Sequence, residues 1–280
     1  MAINLVTKFS PDVDEKFAAE SKTAMVTCQD YDWAGAHTVK VYKVTTAGMN
    51  NYDRNGATNP TSRYGTVADL SNTVEEMTLT RDRSFTFAID KLDADETAGT
   101  LEGGKALERQ LREVVIPEVD GYVYGKMAAG AGKKVTGKTL AASNIYDEII
   151  TGTEWLDDKE VPDDFRSIVV TPTTYKLLKK SPEVNLDCDV SEQQRLNGVV
   201  AKVDGMPVIK VPASRLPENF GFMICHKNST VAPVKLAEYK IHEDVPGISG
   251  SLVEGRVVYD AFVLDNKADG IYTVINTPSA

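Results

Sequence analysis

The sequence has few of the residues from which most metal and thiol sites are built. Its 280 residues include three cysteines and three histidines, which are scattered along the chain. Cys225 and His226 are adjacent, but no second pair of ligands stands at the spacing of a zinc site, so we expect no metal. The odd number of distant cysteines (Cys28, Cys188 and Cys225) favours buried thiols in a reducing compartment over a disulfide framework.

Long apolar runs and an excess of positive charge are also missing. No stretch approaches the length of a membrane span, and the first residues, MAINLVTKFSPD, lack the apolar core of a signal peptide. We therefore expect synthesis in the cytosol and no membrane partner. The formal net charge of −10 opposes a nucleic-acid-binding surface, because affinity for phosphate depends on clustered lysine and arginine.

The common signatures of catalysis are absent as well. No serine lies in a G-x-S-x-G elbow, and three dispersed histidines leave little for a triad. The adjacent acids Glu75-Glu76, Asp157-Asp158 and Asp163-Asp164 lie in polar stretches and are typical of solvated faces. We therefore expect a protein that is not an enzyme, and we assign no catalytic, cofactor-binding or metal-binding residue.

One motif does match a nucleotide-binding pattern letter for letter. Residues 132–139 read GKKVTGKT, in which Lys138 would contact phosphates and Thr139 would bind Mg²⁺. A phosphate loop leaves the end of a buried strand, however, whereas this segment follows a predicted helix. A partner carboxylate is also hard to find, because Asp265 is the only candidate. We therefore favour a flexible connection between two helices, with a nucleotide-hydrolysing enzyme as the weaker alternative.

The longest helical pattern runs from Asp93 to Ala131. Its apolar residues recur at steps of three and four, acidic residues crowd its start, and lysines follow its end. A helix of about 30 residues would be about 45 Å long, more than the width of a small domain. Pro117 predicts a kink near Glu113. The pattern indicates a strut that joins distant elements.

Extended segments precede this strut. Residues 1–35 resemble an arm with a short helix capped by Ser10, which is too short to bury itself and needs a surface such as that of another subunit. In residues 37–92, HTVKVYKVT and MTLTRDRSFTFAID alternate as strands do, around a long polar stretch. Such a long connection is uncommon inside a compact monomer. It predicts either an extended arm that packs on a neighbour or a polar surface hairpin with a disordered tip.

Helices and strands are mixed after the strut. We predict a helix from Thr139 to Ile150 ended by Gly152, a strand from Ser167 to Val170, and a helix capped by Thr171. A capping box predicts a short helix from Ser191 to Gly198, and a hairpin turns at Asp204-Gly205. Three alternating runs complete the chain: PVKLAEYKIHED, GISGSLVEGRVVYDAFVLD and DGIYTVIN. The class is α+β.

Several segments resemble the major capsid proteins of tailed bacteriophages. The similarity covers nearly the whole chain, in order. It is carried by the W-x-G-A-H-T-V-K-V pattern at 33–41, RYGTVADLSNTVEEMTLTRDRSFTFAIDKLDADET at 63–97, LREVVIPEVDGYVY at 111–124, NGVVAKVDGMPVIKVP at 197–212 and LVEGRVVYDAFVLDNKADGIY at 252–272.

The resemblance implies the Hong Kong 97-type capsid fold. Its expected parts are an N-terminal arm (1–36), an extended β-hairpin loop (37–92), a peripheral domain with the spine helix (93–137), an axial domain (138–228), and peripheral strands that return to the axial domain (229–280). No long helical segment precedes the arm, so a fused scaffolding region is not expected. Some relatives crosslink through lysine and asparagine. No motif singles out Lys40, Lys43, Asn266 or Lys267 for that role.

The function implied by the resemblance is that of a shell subunit of a tailed phage or prophage. It would self-assemble into pentamers and hexamers that form an icosahedral shell around double-stranded DNA. Scaffolding, portal and decoration proteins are the expected partners, no cofactor is implied, and assembly would take place in the cytoplasm of the bacterial host. An encapsulin-type compartment, which encloses an enzyme in the same fold, is the alternative.

Overall fold

The computed structural model describes residues 20–28, 33, 38–55, 62–96, 102–181, 199–243 and 245–277. In contacts between residues, 33–79 form one unit and the other described residues form a second. The described strands are β1 (Thr38–Val44), β2 (Asn72–Thr78), β3 (Arg81–Asp90), β4 (Lys133–Lys138), β5 (Arg166–Val170), β6 (Val199–Val203), β7 (Met206–Lys210), β8 (Phe220–His226), β9 (Thr230–Val231), β10 (Val234–His242), β11 (Gly250–Tyr259), β12 (Phe262–Val263) and β13 (Ile271–Asn276). The helices are α1 (Lys91–Glu96), α2 (Gly103–Gln110), α3 (Ile116–Gly130), α4 (Ile145–Asp158) and α5 (Pro172–Lys180).

A six-stranded sheet in the order β4-β13-β8-β5-β7-β6 forms the centre of the larger unit. Its inner strands are apolar without alternation, as expected for a sheet that is covered on both faces. Ile168 and Phe222 belong to a core with α4 and α5. Their chain neighbours Val169 and Met223 belong to a second core with α3. The period of two thus sends successive side chains to opposite helical layers.

Several predicted elements around this sheet are confirmed. The strand at 167–170 is β5, and the hydroxyl of Thr171 accepts a hydrogen bond of 3.0 Å from the backbone N–H of Thr174 at the start of α5. The hairpin of β6 and β7 turns at Asp204 and Gly205, with φ of 51° and 73°. These angles suit the type I′ turn that an Asp-Gly pair favours. The capping-box helix at 191–198 lies outside the described residues.

The predicted helix at 139–150 is wrong in its bounds. The helix α4 begins at Ile145 and continues through Gly152, where we expected it to end. A Cβ on Gly152 would lie 2.7 Å from Ile224 and 2.9 Å from Tyr272. This glycine therefore lets the helix approach the sheet closely instead of terminating it.

The strut is helical from Gly103 to Gly130, but its middle is not an α-helix. Residues Leu111–Val115 form a π-helical segment between α2 and α3, in which the N–H of Ile116 donates to the carbonyl of Leu111 five residues back. Pro117 cannot donate a backbone hydrogen bond, so the α-helical pattern must be interrupted just before it. A π-helical segment lies where we expected a kink near Glu113, and the kink itself stays a prediction. The helix α1 is separate from the strut.

The single strand predicted from Met77 to Asp90 is two strands. β2 ends at Thr78, and β3 starts at Arg81 and pairs with β11 in a three-stranded sheet of order β10-β11-β3. The ring of Phe85 lies across Gly255 of β11, 2.3 Å from where a Cβ would stand. The absence of a side chain at Gly255 makes room for this aromatic contact and helps to fix the register of β3.

The described end of the predicted arm lies on its own chain. Val26 is fully buried in the core beside α3, and the N–H of Cys28 donates to the carbonyl of Thr230 over 2.8 Å. Residues 20–28 thus lie against their own chain. The predicted helix at Ser10 lies outside the described residues. Cys28 and Cys225 are buried, as predicted.

Candidate functional site

The unit of residues 33–79 is built on an antiparallel hairpin. β1 and β2 pair from Thr38↔Thr78 to Val44↔Asn72. The hydroxyls of Thr38 and Thr78 lie 2.9 Å apart, and Lys43 forms an ion pair of 2.9 Å with Glu75. Cross-strand hydroxyl and charge pairs of this kind stabilise a two-stranded ribbon, which lacks the support of a wider sheet.

The long polar connection continues the register of the hairpin. The backbone N–H of Thr45 donates to the carbonyl of Ser71 over 3.0 Å, and the backbone N–H of Asp53 donates to the carbonyl of Arg63 over 2.9 Å. Between these pairs, the rings of Tyr52 and Tyr64 meet edge to face at 5.1 Å. The two arms thus stay aligned as far as Asp53, and a ribbon with arms of this length can reach up to about 50 Å. The connection is an extension of the hairpin.

Large apolar side chains are exposed along this ribbon. Tyr42 lies opposite Val74, and Val44 lies two residues further on the same face. Their exposed fractions are 67%, 44% and 64%. Contiguous exposed apolar surface of this kind marks sites of protein–protein contact.

The two units differ in how much apolar surface they expose. Eight large apolar side chains are exposed in residues 33–79, against six in the much larger remainder of the described chain. Sequence patterns did not reveal this apolar surface, because the tyrosines, valines and other apolar residues of the segment are separated by Asn, Gly, Thr and Ser. The eight residues are Tyr42, Val44, Met49, Tyr52, Tyr64, Val67, Leu70 and Val74.

A buried charge pair ties the described N-terminal segment to α3. Arg215 donates to Asp120 over 2.8 Å, and both residues are almost fully buried. The hydroxyl of Ser21 donates to the same carboxylate over 2.6 Å, and Arg215 also donates to the carbonyl of Glu20. Burial raises the pKa of Asp120, although Ser21 and Arg215 act in the opposite direction. Sequence spacing could not reveal a cluster whose members lie so far apart in the chain.

The nucleotide-binding motif does not form a phosphate loop. Residues Lys133–Lys138 are strand β4, at the edge of the six-stranded sheet and parallel to β13. The expected flexible connection is therefore also wrong. Lys138 forms an ion pair of 2.5 Å with Glu148, and the next helix begins only at Ile145. No helix N-terminus follows the motif directly, so the arrangement that binds phosphate is not made.

The remaining candidates for chemistry are held in structural settings. Burial raises the pKa of the Cys225 thiol to about 12, which keeps it protonated and unreactive. Burial, with Lys267 and Arg166 nearby, lowers the pKa of His226. Within the described residues, no group of three or more His, Cys, Asp or Glu side chains is placed to hold a metal. In the same part of the chain, no helix is long and apolar enough to cross a membrane.

The chain is similar over nearly its whole length to solved structures from phages. A chain of Mycobacterium phage Che8 superposes with a TM-score of 0.77 at 17% identity, covering 96% of each chain. A chain from the capsid structure of the cyanophage P-SCSP1u has a TM-score of 0.71 at 13% identity, covering 98% of this chain and 93% of that one. A chain from the mature capsid of bacteriophage PhiM1 gives 0.70 at 15% identity, covering 99% and 93%.

Sequence comparison alone finds no such relative, since no family model and no curated protein matches. Chains of such low identity can share a fold, because a similar packing of helices and sheets can be specified by many different apolar side chains. The structural similarity identifies the fold: this chain has the Hong Kong 97-type fold of the phage capsid proteins.

Proposed function

We propose that this chain is the major capsid protein of a tailed phage or prophage. The observation that carries the proposal is the match with phage capsid structures over more than nine tenths of both chains. A match of that extent leaves little of the chain for an additional catalytic domain. The expected work of the protein is repeated self-association.

The proposed assembly consists of pentamers and hexamers that close into an icosahedral shell around double-stranded DNA. The exposed face of Tyr42, Val44 and Val74 supports this, since it offers apolar surface that an isolated chain leaves in water. This apolar face would be buried against a neighbouring subunit. Obligate interfaces of this kind bury more than about 2,000 Å² of surface. Closed shells also require every copy to make equivalent contacts.

The expected surroundings follow from this role. The protein would be made in the cytoplasm of a bacterial host and would end in the virion capsid. Scaffolding, portal and decoration proteins would be its partners besides further copies of itself. Its acidic net charge of −10 suits a wall that encloses DNA without adhering to it.

Imaging of purified particles tests the proposal. The chain is produced in a bacterium, alone and together with the other structural proteins of its phage, and the products are examined by negative stain. Uniform closed particles are expected, with DNA inside when the complete set is present. Particles that contain a defined enzyme instead of DNA would favour an encapsulin-type compartment. Only monomers under both conditions would contradict a shell function.

We also infer that the chain is not an enzyme. Lys138 is held by Glu148 in an edge strand, which supports this inference for the nucleotide motif. Purified protein should therefore show no Mg²⁺-dependent ATP hydrolysis. Activity that disappears in Lys138→Ala, but persists in a Lys133→Ala control from the same strand, would contradict it.

A further inference from the structure

Asp260 stands at the point where the chain returns from the hairpin unit. The hairpin unit ends at Leu79, and Thr80 is the first residue that follows it. Both the backbone N–H and the hydroxyl of Thr80 donate to one oxygen of Asp260, each over 2.8 Å. The phenol of Tyr122 and the N–H of Ala261 donate to the other oxygen, also over 2.8 Å. A carboxylate that is 2% exposed thus accepts four hydrogen bonds.

This carboxylate joins three separate elements. Thr80 precedes β3, Tyr122 lies in α3, and Asp260 follows β11. Hydrogen bonds to a charged acceptor are stronger than those between neutral groups. Their geometry is also specific, because each oxygen serves one pair of donors. The cluster therefore fixes the position of Thr80 against the spine helix through groups on two other elements.

The residues after Thr80 reinforce the same attachment. The guanidinium of Arg81 lies 4.5 Å from the centre of the Tyr122 ring, and Arg83 donates to Glu118 of α3 over 2.6 Å. The ring of Tyr259 meets that of Tyr122 edge to face at 5.6 Å. The Arg83–Glu118 ion pair is exposed to solvent, so it is worth little by itself. Together these contacts run along one side of α3.

We propose that Asp260 is a positioning residue for assembly, which anchors Thr80 and so holds the hairpin's point of return against the spine helix. This rests on the proposed shell function, since it assigns a role in building that shell. Closed shells require equivalent contacts from every copy, so a chain segment that is held loosely at Thr80 would weaken assembly. The fold of the subunit, in contrast, depends on the two cores around the six-stranded sheet.

Asp260→Asn is the most informative variant because it keeps the shape of the side chain. An amide has one acceptor oxygen in place of two, so it cannot serve both Thr80 and the Tyr122–Ala261 pair. Asp82→Asn is the matched control. It removes a carboxylate from the same three-stranded sheet, where Asp82 forms an exposed ion pair with Arg256.

The first measurement is hydrogen exchange of the unassembled subunit. In Asp260→Asn, the amides of residues 80–84 should exchange about tenfold faster or more, as expected when at least one charge-assisted hydrogen bond is lost. Amides of the central strand β8 should exchange as they do in the control. Equal acceleration in β8 would show a global structural role and would overturn the proposal.

The second measurement is assembly, followed by size-exclusion chromatography and negative stain. Asp260→Asn should remain as free subunits or small rings, whereas Asp82→Asn should form complete shells. Complete shells from Asp260→Asn would overturn the proposal. If the wild-type chain forms no shell either alone or with the other structural proteins of its phage, the proposed function fails, and the exchange experiment still decides separately whether Asp260 anchors Thr80.

Substitutions at Thr80 keep the test decisive if Asp260→Asn does not fold. Thr80→Val removes one of the four donors and preserves the branched shape, so it should raise exchange at 80–84 and reduce the yield of shells. Thr80→Ser retains the hydroxyl, so its exchange at residues 80–84 and its yield of shells should equal those of the wild type. Identical behaviour of the valine and serine variants would show that the hydroxyl contributes nothing, contrary to the proposal.

Discussion

Two buried aspartates illustrate how differently the same side chain behaves in this protein. Burial raises the pKa of Asp120, and its partners Ser21 and Arg215 oppose that rise without reversing it. Burial also acts to raise the pKa of Asp260, but the hydrogen bonds from Thr80, Tyr122 and Ala261 outweigh it and hold the pKa below its ordinary value. The number and geometry of the donors decide the difference.

Removal of Asp120 should be costly to the fold. In Asp120→Ala, the buried Arg215 loses the carboxylate to which it donates, so we expect the free energy of unfolding to fall by about 3–5 kcal/mol. Chemical denaturation of the unassembled subunit measures this. The control Asp82→Ala breaks an ion pair that is exposed to solvent. It should leave the midpoint of denaturation almost unchanged. Similar small losses in both variants would contradict a structural role for the buried pair.

Asp260 should contribute to the acid sensitivity of the subunit. Its pKa is lower in the folded chain than in the unfolded chain, so the unfolded chain binds the proton more readily. The stabilisation is therefore present above the unfolded pKa of about 3.9 and is lost as the pH falls through the folded value. Unfolding free energies below about pH 5 should fall less steeply in Asp260→Asn than in the wild type. Equal slopes would show that another group dominates this range.

At the scale of elements, the hairpin shows how a polar sequence can form a long ordered ribbon. Its register is carried from β1 and β2 into the connection by backbone pairs such as Thr45 with Ser71 and Asp53 with Arg63. The polar surface hairpin remains compatible with these contacts. The exposed apolar face that includes Tyr42 and Val74 favours the packed arm.

Shortening the hairpin in register should separate folding from assembly. Residues 46–70 are replaced by Asn-Gly, which closes a two-residue turn on the hydrogen-bonded pair Thr45 and Ser71. The larger unit keeps its cores, so circular dichroism should show nearly unchanged helix content. Size-exclusion chromatography should show free subunits or small rings, because five of the eight exposed large apolar side chains of this unit are lost (Met49, Tyr52, Tyr64, Val67 and Leu70). If complete shells still form, the part of the hairpin beyond Thr45 and Ser71 has no part in assembly.

At the scale of the whole molecule, the acidic net charge agrees with the proposed role of this fold as a shell around DNA. The chain carries 41 acidic and 31 basic residues, and its described basic side chains include Arg83, Arg215 and Arg256, which are engaged in ion pairs. A protein that encloses a polyanion gains from a surface to which the polyanion does not adhere.

Binding to duplex DNA should therefore be weak. We expect no stable complex of the purified subunit at micromolar protein and physiological salt, because the net charge of −10 opposes the approach of the phosphates. A gel-shift titration measures this, with the same titration at about 20 mM salt as a test for weak electrostatic contacts. A complex in the nanomolar range at physiological salt would reveal a basic face that the net charge conceals.

The sequence by itself determined the features that depend on local chemistry. Alternation predicted the strands at 38–44 and 271–276, Asp204-Gly205 predicted a turn, and Thr171 predicted a helix cap. Pro117 follows the π-helical segment and removes a hydrogen bond within one helical turn, but the kink that it predicts stays a prediction. Quoted segments also carried the resemblance to capsid proteins.

Only the tertiary structure decided what depends on distant partners. Gly152 continues a helix because a sheet packs against it, and Lys133–Lys138 form a strand because β13 offers an edge. Residues 20–28 are attached to segments that are remote in sequence. The hydrogen bonds that Asp260 accepts from Thr80 and Tyr122 also join distant parts of the chain. Such contacts follow from how the chain folds back on itself, and no local periodicity encodes them.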